Sequence, residues 1–362
     1  MLTALSRGLL ESAGIAQVLP QDINPRYAID DVVPAVVALP AAVDEVSRAV
    51  AIAHRQGAGV IPYGGGTKMI LGNAPKNVDL VLGLANLDAL VDYQPADLTA
   101  TFQAGTTLAN AQGVLEEKGQ FLPLQSPVPG QATIGGVLST AFAGPYAFLY
   151  GLPRDWLIGI TVVGPDGTVT RGGGKVVKNV TGFDMNRLYT GSLGTLGIIV
   201  EATFKLAPRP PLSQTLLVTS PNVDTVLAAA TAVQASGAGP AALALVNPLV
   251  REKIGLEGPG YALLALFQGR LAAVSERSDV ARRALSTVDA DSAVDLLQQD
   301  AESVWQPLID LSWVGTPPPK PPSAIETPSS TFCREVFVSQ TISAKIFGPF
   351  AGHRCTSQTG GD

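Results

Sequence analysis

Three glycine-rich stretches in the first half of the chain have the composition of anion-binding loops: "YGGGTK" (63–68), "GQATIGGVLSTAFAG" (130–144) and "GSLGTLGIIVEATFKL" (191–206). Consecutive glycines let the backbone take positive φ and let N–H groups converge on an anion without Cβ obstruction. Gly64, Gly65, Gly66 and Thr67 follow an apolar strand pattern. Lys68 precedes Met69 rather than Ser or Thr, so this is not a Walker A loop. In the second stretch Thr133 stands where a helix N-cap belongs, with Gly135 and Gly136 in the first turn. That pattern presents free N–H groups and a positive dipole end, a seat for a phosphate. The third spaces Gly191, Gly194 and Gly197 as Gly-x-x-Gly-x-x-Gly and leads into a strand pattern. A dinucleotide fingerprint is Gly-x-Gly-x-x-Gly between a strand and a helix, so a nicotinamide cofactor in a Rossmann cleft is disfavoured. Each stretch alone also suits a plain structural turn. All three within residues 63–197 point to one large phosphorylated ligand.

The residue types that are scarce narrow the chemistry further. His54 and His353 are the only histidines, and Cys333 and Cys355 the only cysteines. No CxxC pattern supports an iron–sulfur or zinc site in this chain, so no metal site is expected. The formal net charge is −6 with no basic runs, which argues against nucleic-acid binding. No apolar stretch has the ~18–20 uninterrupted residues of a spanning helix. Arg7 and Glu11 come too early for a secretory signal, so residues 1–28 read as an N-terminal helix and the chain as cytoplasmic.

Around the glycine loops the periodicity alternates. Residues 35–63 read as a strand, an amphipathic helix over 44–56 ending near His54, and a second strand. Strands follow at 78–84 and 98–105, then a helix over 107–119 stopped by Gly119. A hairpin over 156–173 turns at Pro165-Asp166-Gly167, and a long alternating strand begins at 198. After "PRPP" (208–211) the texture changes to a smaller βαββα alternation, with the segment from Asp291 to Leu311 read as one helix. Residues 312–362 are rich in Pro, Ser and Thr without periodicity.

The stretches "YGGGTK", "GQFLPLQSPVPGQATIGG", "YGLPRDWLIGITVVGPDG" and "RGGGKVVKNVTGFDMNRLYTGSLGTLGIIVEATFKLAPRP", in this order, resemble the FAD-binding domain of the vanillyl-alcohol-oxidase/p-cresol-methylhydroxylase (PCMH) superfamily. Within it, "KNVTGFDMNRLYTGSLGTLG" is most similar to the FAD-binding E subunits of bacterial glycolate oxidases. The resemblance implies an α+β chain: a two-subdomain PCMH-type FAD-binding domain over 29–210, then a smaller α+β cap over 211–311. The atypical tail, 312–362, lacks the family's closing segment and is expected to mark an incomplete, truncated or frame-shifted C-terminus. The resemblance further implies that Gly64, Gly65, Gly66 and Thr67 wrap the FAD pyrophosphate. Ser126, Pro127, Thr133, Gly135 and Gly136 would line flavin and pyrophosphate, and Gly197 and Ile198 would touch the cofactor by main chain. No histidine stands in these loops, so FAD is expected to be bound non-covalently.

Other residues admit two readings. Arg154-Asp155 suits a structural pair at a loop-to-strand junction or an active-site pair. Lys175, Lys178 and Asn179 are solvated groups or flavin neighbours; Tyr63 packs on a cofactor or fills the core; Trp156 and Trp305 read as core. Flavin oxidation of a 2-hydroxy acid needs a base for the hydroxyl proton, ordinarily His, and none occurs between 55 and 352. The catalytic residues are therefore not assigned. The resemblance implies a flavoprotein oxidoreductase acting on CH–OH donors, as a subunit of a glycolate oxidase complex. Its partners would be a catalytic flavoprotein subunit and an iron–sulfur subunit, its substrate a small 2-hydroxy acid, its place the cytoplasm or the inner-membrane periphery through the complex. The alternative is a self-sufficient FAD enzyme for another alcohol or hydroxy acid, with Tyr, Lys or Arg replacing His.

Overall fold

The computed structural model describes residues 8, 10–18, 25–29, 32–73, 75, 77–174, 183–256, 258, 260–288, 293–296 and 301–311. These fall into two compact units, one running to Pro211 and resuming at Trp305, the other covering the chain between.

In the first unit, β1 (Gln17–Val18) pairs antiparallel with β2 (Val36–Ala38). α1 (Val43–Arg55) carries Asp44 and Glu45 in its first turn and His54 and Arg55 in its last, the charge order that complements the helix dipole. Its Val46, Ala49, Val50 and Ala53 recur at helical spacing and are buried with Leu80 and Leu82. β3 (Val60–Tyr63) and β4 (Leu80–Gly83) run parallel with β2, giving the order β1-β2-β4-β3. The central β4 is buried along its whole length, which its unbroken "LVLG" run anticipates.

A second sheet is antiparallel throughout. It uses β5 (Leu90–Gln94) and β6 (Thr99–Gln103), after which come α2 (Leu108–Glu116), β7 (Gln120–Phe121), α3 (Ile134–Thr140), α4 (Ala147–Tyr150) and α5 (Pro153–Trp156). β8 (Leu157–Val163) and β9 (Val169–Gly173) form the expected hairpin, followed by α6 (Met185–Tyr189), β10 (Ile198–Lys205) and β11 (Ala207–Pro208). The strand order is β5-β6-β10-β8-β9, with β11 paired separately to β7. The hairpin turn is fastened to α1: Ser47 Oγ donates to the Gly167 carbonyl at 2.6 Å. Leu108 and Leu115 of α2 and Ile134, Val137 and Leu138 of α3 cover this sheet, closing a core with Phe102, Ile160, Val162 and Phe204. α3 is thus seated on the rigid middle of the sheet.

The second unit contains β12 (Leu212–Ser220), α7 (Val223–Ala235), β13 (Ala242–Val246), α8 (Pro248–Lys253), β14 (Tyr261–Gly269), α9 (Leu271–Leu285) and β15 (Ala293–Leu296). Its antiparallel sheet has the order β13-β14-β12-β15, and Val226, Ala229, Val233, Val274 and Ala281 pack against it. The helix read over 291–311 is corrected here. Residues 293–296 are a strand on β12, with Ala293 opposite Thr219 and Leu296 opposite Leu216, and the helix α10 spans only Ala301–Leu311. The open edge of β12 supplies ladder partners, and that tertiary pairing overrides the local helical pattern. From Trp305 onward α10 groups with the first unit. The tail 312–362, with Cys333, His353 and Cys355, lies outside the described residues, as do Lys175, Lys178 and Asn179.

Candidate functional site

β3 delivers the chain into the triple-glycine loop, and each glycine there is required by a close approach. A Cβ on Gly64 would collide with Thr133 Oγ1, and one on Gly65 with the main-chain carbonyl of Gln131. Gly66 adopts φ +75°, and its missing Cβ makes room for the Tyr63 hydroxyl. Among the described residues, no protein acceptor takes the N–H groups of Gly64, Gly65 or Gly66. Three main-chain donors left open in one pocket-lining loop, its glycines packed too closely for any side chain, suit an oligophosphate.

The second stretch is built as expected at its cap and differently in its donors. Thr133 is the N-cap of α3, and its Oγ1 accepts from Gly136 N–H at 3.2 Å. The expectation of free N–H groups at this helix start is corrected. Ile134 N–H donates to the Thr106 carbonyl at 2.9 Å, and Gly135 N–H to the Ala104 carbonyl at 2.8 Å. The segment after β6 runs alongside the helix start, bridged through Thr107 and Thr133, so its carbonyls take these donors. Gly135 serves packing: its Cβ would stand 2.9 Å from that of Ala104.

The third stretch folds over the far end of α3. Gly191 N–H donates to Leu138 O and Leu193 N–H to Ser139 O, at 2.9 and 2.8 Å. Gly191 and Gly194 take positive φ, and a Cβ on Gly194 would meet Pro62 Cγ of β3 at 2.5 Å. Gly197 lies hard against Val162, Val163 and Tyr189, which feeds Ile198 into β10.

One pocket of the first unit gathers Gly64, Gly65, Gly66, Thr67, Thr133, Gly135, Gly136, Gly197 and Ile198. Ser126 and Pro127 are buried and are not among its lining residues. Tyr63 does both things considered for it: it lines the pocket, packs against Tyr27 at 4.9 Å between ring centres, and donates its hydroxyl to the Arg26 carbonyl at 2.7 Å. Burial raises its pKa. Arg154 and Asp155 form a half-exposed pair at 3.9 Å, and Asp155 caps α5 by accepting from Leu152 N–H, a structural task. Trp156 and Trp305 are absent from the pocket lining; Trp156 donates Nε1–H to the Tyr150 carbonyl.

The residue that the motifs did not single out is Lys68. It is 7% exposed, lines the pocket, donates from Nζ to Ser126 Oγ at 2.6 Å, and lies 5.3 Å from the centre of the Phe142 ring. Burial lowers its pKa to about 8. Its position directly after "GGGT" was the available signal. Among the described residues no group of three or more His, Cys, Asp or Glu is placed to hold a metal ion.

Fold and site together give a glycine-lined pocket beside β3 with open main-chain donors. Residues 34–173 match the family model described as FAD binding domain. The chain is 34% identical over 257 residues to glycolate oxidase subunit GlcD of Bacillus subtilis, covering 69% of this chain and 54% of that protein. It is 37% identical over 194 residues to D-2-hydroxyglutarate dehydrogenase of Xanthomonas citri pv. viticola, covering 54% of this chain and 41% of that one. It is 40% identical over 128 residues to glycolate oxidase subunit GlcE of Escherichia coli, covering 35% and 37%. The chain thus spans about half or less of the length of these relatives. In fold it matches p-cresol methylhydroxylase at a TM-score of 0.67 and 18% identity, over 80% of this chain and 64% of that one.

Proposed function

We propose that the chain is an FAD-dependent oxidoreductase subunit for glycolate or a similar 2-hydroxy acid, working within a multisubunit glycolate oxidase as its E-type flavoprotein. The observation that carries the FAD site is the cradle of Gly64, Gly65 and Gly66, whose N–H groups face no protein acceptor among the described residues. In this reading they and Thr67 hold the pyrophosphate, while Thr133, Gly135, Gly136, Gly197 and Ile198 shape the pocket wall and Ser126 and Pro127 support it from outside the lining. Bound FAD would accept a hydride from the donor carbon. The chain's own residues fix the cofactor and shield it. The lack of a histidine from 55 to 352, and the exposed place of His54 in the last turn of α1, leave no imidazole beside the pocket among the described residues. That favours a subunit whose substrate base is supplied elsewhere, with a catalytic flavoprotein and an iron–sulfur subunit as partners.

The overlap with D-2-hydroxyglutarate dehydrogenase, longer than that with GlcE, favours a second reading, a self-sufficient dehydrogenase. Anaerobic mixing of the FAD-loaded chain with glycolate, D-lactate or D-2-hydroxyglutarate separates the two. The subunit reading predicts bleaching of the flavin band only when the partner subunits are added. Rapid bleaching of the isolated chain establishes the second reading and refutes the first.

A further inference from the structure

The backing of the glycine loop is itself held, and its outermost support comes from α10. Gly65 packs on the Gln131 carbonyl and Gly64 on the Thr133 side chain so closely that a Cβ on either would collide. The turn that presents Gln131 is closed at Val128, whose carbonyl accepts from both Gln131 N–H and Ala132 N–H at 2.9 Å. Val128 holds φ +48°, a left-handed conformation that a β-branched residue adopts only when its surroundings enforce it. One enforcing contact is Asp310 of α10, whose Oδ1 accepts from Val128 N–H at 2.8 Å. That oxygen also accepts from Gln306 Nε2 at 2.9 Å, and the same Nε2 donates to the Ser126 carbonyl at 3.3 Å. α10 is seated by Trp305 and Ile309, both buried. On its other side the turn is fastened to the start of α2: Ala109 N–H donates to the Pro129 carbonyl at 3.0 Å and Leu108 N–H to the Ala132 carbonyl at 2.8 Å. Val128, Gln131, Gln306 and Asp310 are not among the residues lining the pocket, so any effect of Asp310 on a bound ligand passes through the turn.

We propose that Asp310 is a positioning residue for the cofactor site. By holding Val128 left-handed it keeps the 128–132 turn closed behind the glycine loop, and tight binding of a pyrophosphate ligand depends on it. The inference rests on the FAD reading above. Without the carboxylate, Val128 relaxes to negative φ, because a left-handed residue with a branched Cβ is disfavoured. Its carbonyl then turns away from Gln131 N–H and Ala132 N–H, and the Gln131 carbonyl no longer stands against Gly65. The N–H donors of Gly64, Gly65 and Gly66 lose their backing, and a ligand must restore the turn before those donors converge on it. The cost of that restoration is read as lost affinity. It falls on the part of a ligand that meets the glycine loop, the pyrophosphate in the FAD reading, and spares the flavin ring.

The test is calorimetric titration of the full chain with FAD, ADP and riboflavin, well below the melting temperature of each apo variant. Asp310→Ala is expected to weaken FAD and ADP alike by about 5- to 30-fold, the ratio set by the cost of a left-handed non-glycine residue. Its affinity for riboflavin is unchanged. Asp310→Asn keeps an oxygen for Val128 N–H and retains the wild-type affinities. Val128→Gly in the Asp310→Ala chain restores most of the loss, since glycine takes φ +48° unaided. A merely structural Asp310 lowers the melting temperature of the alanine variant and leaves the affinities of its folded chain unmoved, and that result overturns the proposal. So does an equal loss for riboflavin, or no recovery with Val128→Gly. If the alanine chain does not fold, wild type alone decides. Saturating ADP should slow hydrogen exchange at the Val128, Gln131 and Ala132 N–H groups, which lie outside the pocket lining, and unchanged exchange overturns the proposal. A wild-type chain that binds neither FAD nor ADP refutes the functional reading itself.

Discussion

Replacing Gly65 by alanine puts the cradle to a quantitative test. The added Cβ points at the Gln131 carbonyl, with the carbonyl carbon 2.7 Å away. Nothing there yields cheaply, because the obstacle is backbone. Gln131 and Ala132 both donate to the Val128 carbonyl at 2.9 Å, closing the turn that carries this oxygen. Overpacking against a fixed neighbour costs about 1–3 kcal/mol. If the glycine loop moves away to relieve it, that cost is paid when the cofactor must draw the loop back, and FAD affinity falls about 5- to 150-fold. Gly113→Ala is the control: it lies within α2, and its Cβ would meet nothing within 4 Å. It should raise stability by about 0.5–1 kcal/mol and leave FAD affinity alone. Titration of flavin fluorescence, with thermal melts of both apo variants, reads the two effects separately. A folded Gly65→Ala chain that binds FAD as tightly as wild type would refute the cradle.

Three further outcomes follow from the geometry. Thr133→Val removes the acceptor for Gly136 N–H and should cost about 0.5–2 kcal/mol in urea unfolding, largely recovered by Thr133→Ser. Asp310→Ala leaves Val128 N–H and Gln306 without their shared oxygen; a loss of about 1–3 kcal/mol is expected, seen as earlier melting and faster proteolysis at 126–130. Lys68 gives the apo chain a pH dependence. Its folded pKa of about 8 lies below the ordinary 10.5, so the unfolded chain binds the extra proton between these values. Stability therefore rises as pH climbs from about 8 toward 10.5 and is lost as pH falls through about 8; urea midpoints of Lys68→Met should lack this rise.

Local signals made much of this architecture legible. The Thr133 cap, the hairpin at Pro165-Asp166-Gly167 and α1 are written in short-range patterns, and the structure forms each of them. Composition also showed where glycine is indispensable in the 64–66 loop. It could not show which donors stay open, because that depends on the 104–107 segment reaching the α3 start first. For the same reason the helix end that looked like a phosphate seat is closed by protein carbonyls. β15 was hidden because "SAVDLL" suits helix and strand alike until β12 offers its edge. Lys68 was in plain view beside the glycines, but its burial and its anchor come from Ser126 and, behind that, from Gln306 and Asp310. Contacts spanning 58 and 180 residues leave no periodic trace.

The most direct measurement is the flavin content of the purified chain after incubation with FAD and gel filtration, followed by acid precipitation. One FAD per chain is expected, released in full into the supernatant and retained poorly by Gly65→Ala. A chain that emerges colourless, or whose flavin stays with the precipitate, contradicts it.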